Sequence, residues 1–292
     1  MKMSRRIEYM KYIAIIALAV SLAACGSPAA NNSARNTSAA NAAPSPSVVP
    51  EFQAKAETVT IDTRDGVKLV GSFYKPQKPN SPALLLLHEW TANRHVYDEF
   101  AERMNKAGYA VLSIDGRGFG ESNKKADGSE VKVDLNKGID PKLLLSDANS
   151  AVEFLDKQEN VDANKIGIVG ASYGSSVAIM YAADHPKIAA VVLLSPGVNY
   201  FNNLPTVPAI KKYGDRPVLL VAAEDDKDSA ADVRKLKEAS AGENAEVVVY
   251  GDGGHGTAIF AHKDADNNAA HPLADLMQKF LDKALKATEA SK

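Results

Sequence analysis

Residues 83–88, Ala-Leu-Leu-Leu-Leu-His, are apolar at every position but the last, the pattern of a strand covered on both faces. Two segments before it, 57–62 and 67–74, instead alternate apolar and polar positions and flank Arg64-Asp65-Gly66, which predicts an antiparallel hairpin at a sheet edge. Beyond residue 88, apolar runs of strand length alternate with stretches of helical period. The pattern predicts a helix over 97–107 before a strand over 110–115, and a helix over 141–158 before a strand over 166–169. A helix following residue 172 leads to a strand over 188–194. A strand over 217–222, a helix over 230–239, a strand over 246–250 and an amphipathic helix over 272–285 complete the series. Such alternation implies right-handed crossovers and an α/β fold: a mainly parallel central sheet with an antiparallel N-terminal edge and helices on both faces. The connection 195–216 is too short for a large cap domain, and ligands belong at the carboxyl ends of the strands.

The first fifty of the 292 residues have a different composition. Lys2, Arg5, Arg6 and Lys11 form a basic start and residues 13–20 an apolar run shorter than the roughly 20 residues of a bilayer span; Leu22-Ala23-Ala24-Cys25 follows. An ordinary secretory signal or a membrane anchor would begin similarly, but the placing of Cys25 resembles a bacterial lipoprotein signal. That resemblance implies a signal peptide over 1–24, lipidation at Cys25 and an anchor in the cell envelope, with Gly26 pointing to the outer membrane, facing the periplasm. Residues 25–50, rich in Ala, Ser, Asn and Pro, read as a disordered tether, and 51–292 as one domain. The Asn31 and Asn36 sequons read as chance matches in that spacer.

Cys25 is the only cysteine, so the domain has no disulfide, thiol nucleophile or cysteine-based metal site. A net charge of −2 without a basic stripe excludes nucleic acid as a natural partner. No cofactor or metal motif survives inspection. Ala92 stands where H-E-x-x-H needs its second histidine, and the acidic cluster 224–228 lacks the glycine and terminal glutamate of an EF-hand. Gly116, Gly118 and Gly120 lack dinucleotide spacing and read as a mobile loop behind the site.

The chemistry gathers around Gly170-Ala171-Ser172-Tyr173-Gly174, a G-x-S-x-G turn between an apolar strand and a small-residue helix start: a nucleophile elbow with Ser172 at its apex. A serine hydroxyl needs a base, and the base a carboxylate to orient it. Asp226 and Asp225 follow the strand 217–222, and His255 lies in the glycine-rich loop Gly251-Asp252-Gly253-Gly254-His255-Gly256 after the last strand. The order Ser, Asp, His is that of such elbows. His185 and His271 precede prolines at helix ends and read as surface residues, while His95 and His262 lack a strand end. Backbone amides of Tyr173, next to the nucleophile, and of Trp90, after the strand ending at His88, are the candidate oxyanion hole.

With these residues in order, Asp115-Gly116-Arg117-Gly118-Phe119-Gly120-Glu121-Ser122 resembles the D-x-R-G-x-G-x-S loop of the α/β-hydrolase superfamily. In that superfamily the acid closes a G-x-x-D turn, which selects Asp226. His88-Glu89-Trp90 is similar to the H-E-W turn of dienelactone hydrolase relatives, and the Ser-Tyr-Gly and Gly-His-Gly elements are similar to those of prolyl oligopeptidase-type enzymes, whose propeller domain has no counterpart here. Dienelactone hydrolases typically use cysteine where Ser172 stands, so their lactone substrate does not carry over. The resemblance implies a cofactor-free serine hydrolase cleaving small-molecule carboxylic esters through an acyl-enzyme, and the short connection 195–216 predicts an open cleft. A peptidase or amidase acting on envelope peptides shares every one of these residues, and a tethered binding protein on an inactive scaffold is the non-enzymatic alternative.

Overall fold

The computed structural model describes residues 53–263 and 272–286, so Cys25 and the segments 1–24 and 25–50 lie outside the described residues. The chain begins with the antiparallel hairpin β1 (Ala56–Asp62) and β2 (Val67–Tyr74), then runs through β3 (Ser81–Leu87), a 3-10 turn at Arg94–Tyr97, α1 (Asp98–Lys106), β4 (Ala110–Ile114) and the two-residue β5 (Lys124–Lys125). There follow α2 (Pro141–Asp156), β6 (Val161–Ala171), α3 (Tyr173–Asp184) and β7 (Ile188–Leu194). A ribbon of β8 (Asn199–Tyr200) and β9 (Leu204–Pro205) leads into α4 (Thr206–Tyr213). The rest is β10 (Val218–Ala223), α5 (Lys227–Ala239), β11 (Ala245–Tyr250), a 3-10 turn at Gly256–Ala261 and α6 (Pro272–Leu285).

One sheet has the spatial order β1-β2-β4-β3-β6-β7-β10-β11, with β5 paired to β2. Pairing is antiparallel at β1–β2 and β2–β4 and parallel from β4 through β11. Every residue of β3 is buried, as its unbroken apolar run predicts. Its side chains divide by the period of two: Ala83, Leu85 and Leu87 join the face packed by α2, α3, α4 and α5, while Leu84 and Leu86 join the face packed by α1 and α6. Full burial of one such leucine contributes about 1.5–3 kcal/mol, so the two faces hold the sheet from opposite sides.

The structure extends two expectations. β6 begins at Val161 rather than 166, because the polar stretch before Ile166 pairs through Ser81–Val161 across a register shift in β3. The connection after β7 carries no cap domain, yet it holds the β8–β9 ribbon and α4, neither of which the hydrophobic pattern predicts.

The loop after β4 is a correction: it is pinned rather than mobile. Asp115, fully buried, accepts the Arg94 N–H at 2.7 Å and the Glu121 N–H at 2.8 Å, and pairs with the Arg94 guanidinium. Ser122 Oγ donates to Asp115 O at 2.8 Å and accepts Val70 N–H at 2.8 Å. Arg117, also buried, forks onto Asp147 of α2 at 2.5 and 2.6 Å and reaches Asp65 of the hairpin at 2.7 Å. These charges are satisfied within the fold, and removing one partner strands the other in a low-dielectric interior. Asp115→Ala is expected to lower the free energy of unfolding by about 3–5 kcal/mol, measured by urea denaturation.

Candidate active site

Ser172 sits between β6 and α3 with φ 49° and ψ −116°. This strained conformation lifts its side chain off the strand, and it persists only because the surroundings leave no alternative. A Cβ at Gly170 would lie 2.3 Å from Gly174 O, and one at Gly174 would lie 2.4 Å from Leu87 O. Only glycine permits either approach, so the two glycines of the motif let α3 dock against the end of β3. The Ser172 N–H donates to Leu194 O at 2.7 Å, and Ser172 O accepts the Ser175 N–H at 2.9 Å.

Three strand ends then converge. His255 Nε2 lies 2.6 Å from Ser172 Oγ, and His255 Nδ1 lies 2.6 Å from Asp226 Oδ2. Asp226 stands at the N-terminus of α5 without capping it, which leaves its carboxylate to the imidazole. Burial pushes that carboxyl up, but the Ser229 and His255 hydrogen bonds, the His255 charge and the Ser195 hydroxyl outweigh burial and hold it below its ordinary 3.8. Asp225 stands aside from this pairing: its carboxylate accepts the N–H groups of Gly253 and Gly254 at 3.0–3.3 Å and shapes the loop that presents His255. The His255 side chain is 45% exposed, so the pair opens directly onto solvent.

The turn after β3 lies against the elbow. Trp90 packs its ring 4.6 Å from Tyr173, 4.8 Å from Phe119 and 4.8 Å from Phe201. Tyr173 is fixed in turn by Ile139, whose N–H donates to its hydroxyl at 3.2 Å, and burial pushes that phenol up to about 12. Among the described residues, neither the Trp90 nor the Tyr173 backbone N–H donates to another group of the chain. Glu89 joins this turn to the histidine loop by accepting the Thr257 hydroxyl at 2.6 Å, while its second carboxylate oxygen is buried with no hydrogen-bond partner. Behind Trp90 and Tyr173 an apolar cavity of about 50 Å³ is lined by Phe119, Ile139, Leu144 and Val177.

Sequence reasoning missed three further hydroxyls. Ser195, at the end of β7, accepts the Gly256 N–H through Oγ at 2.8 Å and the Tyr200 hydroxyl through its carbonyl at 2.9 Å. Burial pushes the Tyr200 phenol above its ordinary 10, against smaller downward pulls from the Ser172 and Ser229 hydroxyls. Ser195 could have been found, since it ends a parallel strand as Ser172 does; Tyr200 and Ser229 carry no such signal. Three other histidines stand apart: His95 pairs with Asp98 at 2.8 Å, His185 stacks on Tyr181, and His262 meets Asp252 at 2.5 Å, while His271 lies outside the described residues.

Comparison with known proteins agrees with this architecture. The model of the dienelactone hydrolase family matches residues 69–285. The Mycobacterium tuberculosis protein Rv2307c is 29% identical over 241 residues, covering 76% of this chain and 78% of its own. Among solved structures, the dienelactone hydrolase of Anabaena variabilis superposes with a TM-score of 0.63 at 22% identity, covering 80% of this chain and 100% of that one. The acetyl xylan esterase of Paenibacillus sp. R4 gives 0.65 at 18% identity, covering 81% and 86%. At these identities the two structures show the shared fold.

His88, at the end of β3, ties the site to the pinned loop. Its Nδ1 bonds Glu89 O at 2.7 Å, which leaves Nε2 to accept the Gly116 N–H at 2.9 Å, a pairing open only to the neutral ring. Burial pushes His88 below its ordinary 6.5, against a smaller upward pull from the Glu89 carbonyl. The unfolded chain therefore binds this proton first, so stability is complete above 6.5 and is lost as the pH falls through the folded value. Urea midpoints taken from about pH 7 to about pH 5 are expected to decline in the wild type and to decline less steeply in His88→Gln.

Proposed function

The chain belongs to the dienelactone hydrolase family, and we propose that within it this protein is a serine esterase acting on small carboxylic esters. The observation that carries the reading is the unbroken relay Ser172 Oγ, His255 Nε2, His255 Nδ1, Asp226 Oδ2, with 2.6 Å at each of its two hydrogen bonds. Ser172 attacks the acyl carbonyl while His255 takes its proton. Asp226 holds the imidazole and stabilises the imidazolium that forms. The uncommitted Trp90 and Tyr173 amides receive the developing oxyanion. His255 then returns the proton to the leaving alcohol, and water, activated by the same imidazole, releases the acid. These steps use only protein side chains, backbone amides and water.

The exposure of His255 supports access for soluble substrates. The cavity behind the oxyanion turn, well below the roughly 150 Å³ that holds a benzene ring, favours short acyl groups. The dienelactone hydrolase and acetyl xylan esterase among the structural neighbours agree with ester chemistry in this scaffold. The N-terminal reading joins this proposal: Cys25 carries lipid and places the enzyme on the envelope, facing the periplasm.

Esters of graded acyl length are expected to be hydrolysed fastest at two to four carbons, and faster than matched amides; an amide preference would make the enzyme a peptidase or amidase. Ser172→Ala should lower kcat by about 10⁴-fold or more and abolish labelling by a fluorophosphonate, whereas a folded wild type that resists the probe would return the chain to a binding role. Radiolabelled palmitate should enter the wild-type chain and not Cys25→Ser, which should move to the soluble fraction.

A further inference from the structure

Ser195 closes β7, is fully buried and holds φ at +44°. A residue other than glycine keeps a left-handed backbone only where its surroundings over-determine it. Glycine would adopt this conformation without steric cost, so what serine adds here is its hydroxyl. Every polar group of the residue is engaged. Its N–H donates to Val221 O of β10 at 2.8 Å, its carbonyl accepts the Tyr200 hydroxyl at 2.9 Å, and its Oγ accepts the Gly256 N–H at 2.8 Å. The hydroxyl thereby anchors the first peptide after His255, and it adds a small downward pull on the Asp226 carboxyl. The preceding carbonyl, Leu194 O, accepts the Ser172 N–H at 2.7 Å. Residues 194 and 195 thus touch the nucleophile and the peptide next to the base.

Tyr200 completes the arrangement from the ribbon. Its ring lies on Gly197, where a Cβ would come within 2.7 Å of the ring, and its hydroxyl donates to Ser195 O, one residue from the carbonyl that holds the Ser172 N–H. The tight turn that follows holds Phe201 and Asn202 at φ 53° and 55°, which sends the Phe201 ring to Trp90. Consecutive residues, Tyr200 and Phe201, therefore meet the end of β7 and the oxyanion turn.

We propose that Ser195 is a positioning residue of the triad, assisted by Tyr200: its hydroxyl anchors the histidine loop at the peptide that follows His255, and its carbonyl, held by the Tyr200 phenol, fixes the end of β7 on which the Ser172 N–H rests. This assignment rests on the serine-hydrolase reading above. Neither residue belongs to the triad or supplies an oxyanion amide, so their loss misplaces the reacting groups rather than removing one, an error of the kind that costs about tenfold or more in rate.

The test uses the full chain and two readouts, the rate of Ser172 labelling by a fluorophosphonate and the kinetics on a short-chain nitrophenyl ester. Ser195→Ala and Ser195→Gly are both expected to label about tenfold more slowly, with kcat reduced equally and KM within about twofold, although glycine relieves the backbone and should melt at the higher temperature. Tyr200→Phe keeps the ring on Gly197 and should also lose kcat rather than KM, with only the small fall in melting temperature that one lost hydrogen bond brings. Wild-type labelling by folded Ser195→Ala overturns the role of the hydroxyl. Wild-type labelling by Tyr200→Phe, or a rise in KM at constant kcat, overturns the role of the phenol. A wild-type chain that is neither labelled nor active overturns the serine-hydrolase reading and this inference together, whereas an active wild type with unaffected variants overturns the inference alone.

Discussion

The active edge depends on the approach of α3 to the end of β3. Two glycines on either side of Ser172 let backbone meet backbone at distances no Cβ tolerates. The helix start is thereby pressed against the strand that carries His88, Glu89 and Trp90. From that contact follow the strained apex at Ser172, the placing of the Tyr173 amide beside the Trp90 turn, and the packing of the two aromatic rings. The elbow is a packing constraint first, and its chemistry is a consequence of where the constraint leaves one hydroxyl.

Around it the fold divides labour by polarity. The sheet interior is apolar on both faces and supplies rigidity, while the charged residues buried near the carboxyl edge serve to fix loops. Arg94 with Asp115 closes the loop after β4, and Arg117 joins that loop to α2 and the hairpin, while the exposed Asp225 shapes the loop that carries His255 from the solvent side. Buried ion pairs of this kind add little net stability compared with apolar packing, but they tolerate few alternative geometries. Irregular backbone can therefore present reactive groups to within a hydrogen-bond length.

Much of this is legible in the sequence because the signals are local. Period-two and period-3.6 patterns mark most strands and helices, and the glycine spacing with the order Ser172, Asp226, His255 marks the relay that the structure brings together. Asp226 is favoured over its neighbour Asp225 only through the G-x-x-D resemblance, and the partners tell them apart: Asp226 meets His255, while Asp225 meets the Gly253 and Gly254 amides. The loop through Gly116 reads as mobile when its glycines are counted, and is pinned once the distant Arg94 is placed beside Asp115. Ser195, Tyr200 and α4 are hidden for the same reason: their meaning lies in contacts with residues far away in the chain, which neither composition nor periodicity records.

Trp90 is the only tryptophan in the sequence, and it lies in van der Waals reach of Tyr173, Phe119 and Phe201 at the turn beside the nucleophile. Excitation at the red edge of the absorption band therefore selects a single fluorophore, whose emission reports the polarity of one cleft and nothing else in the molecule. The fold has in effect built a native optical probe into its own working surface.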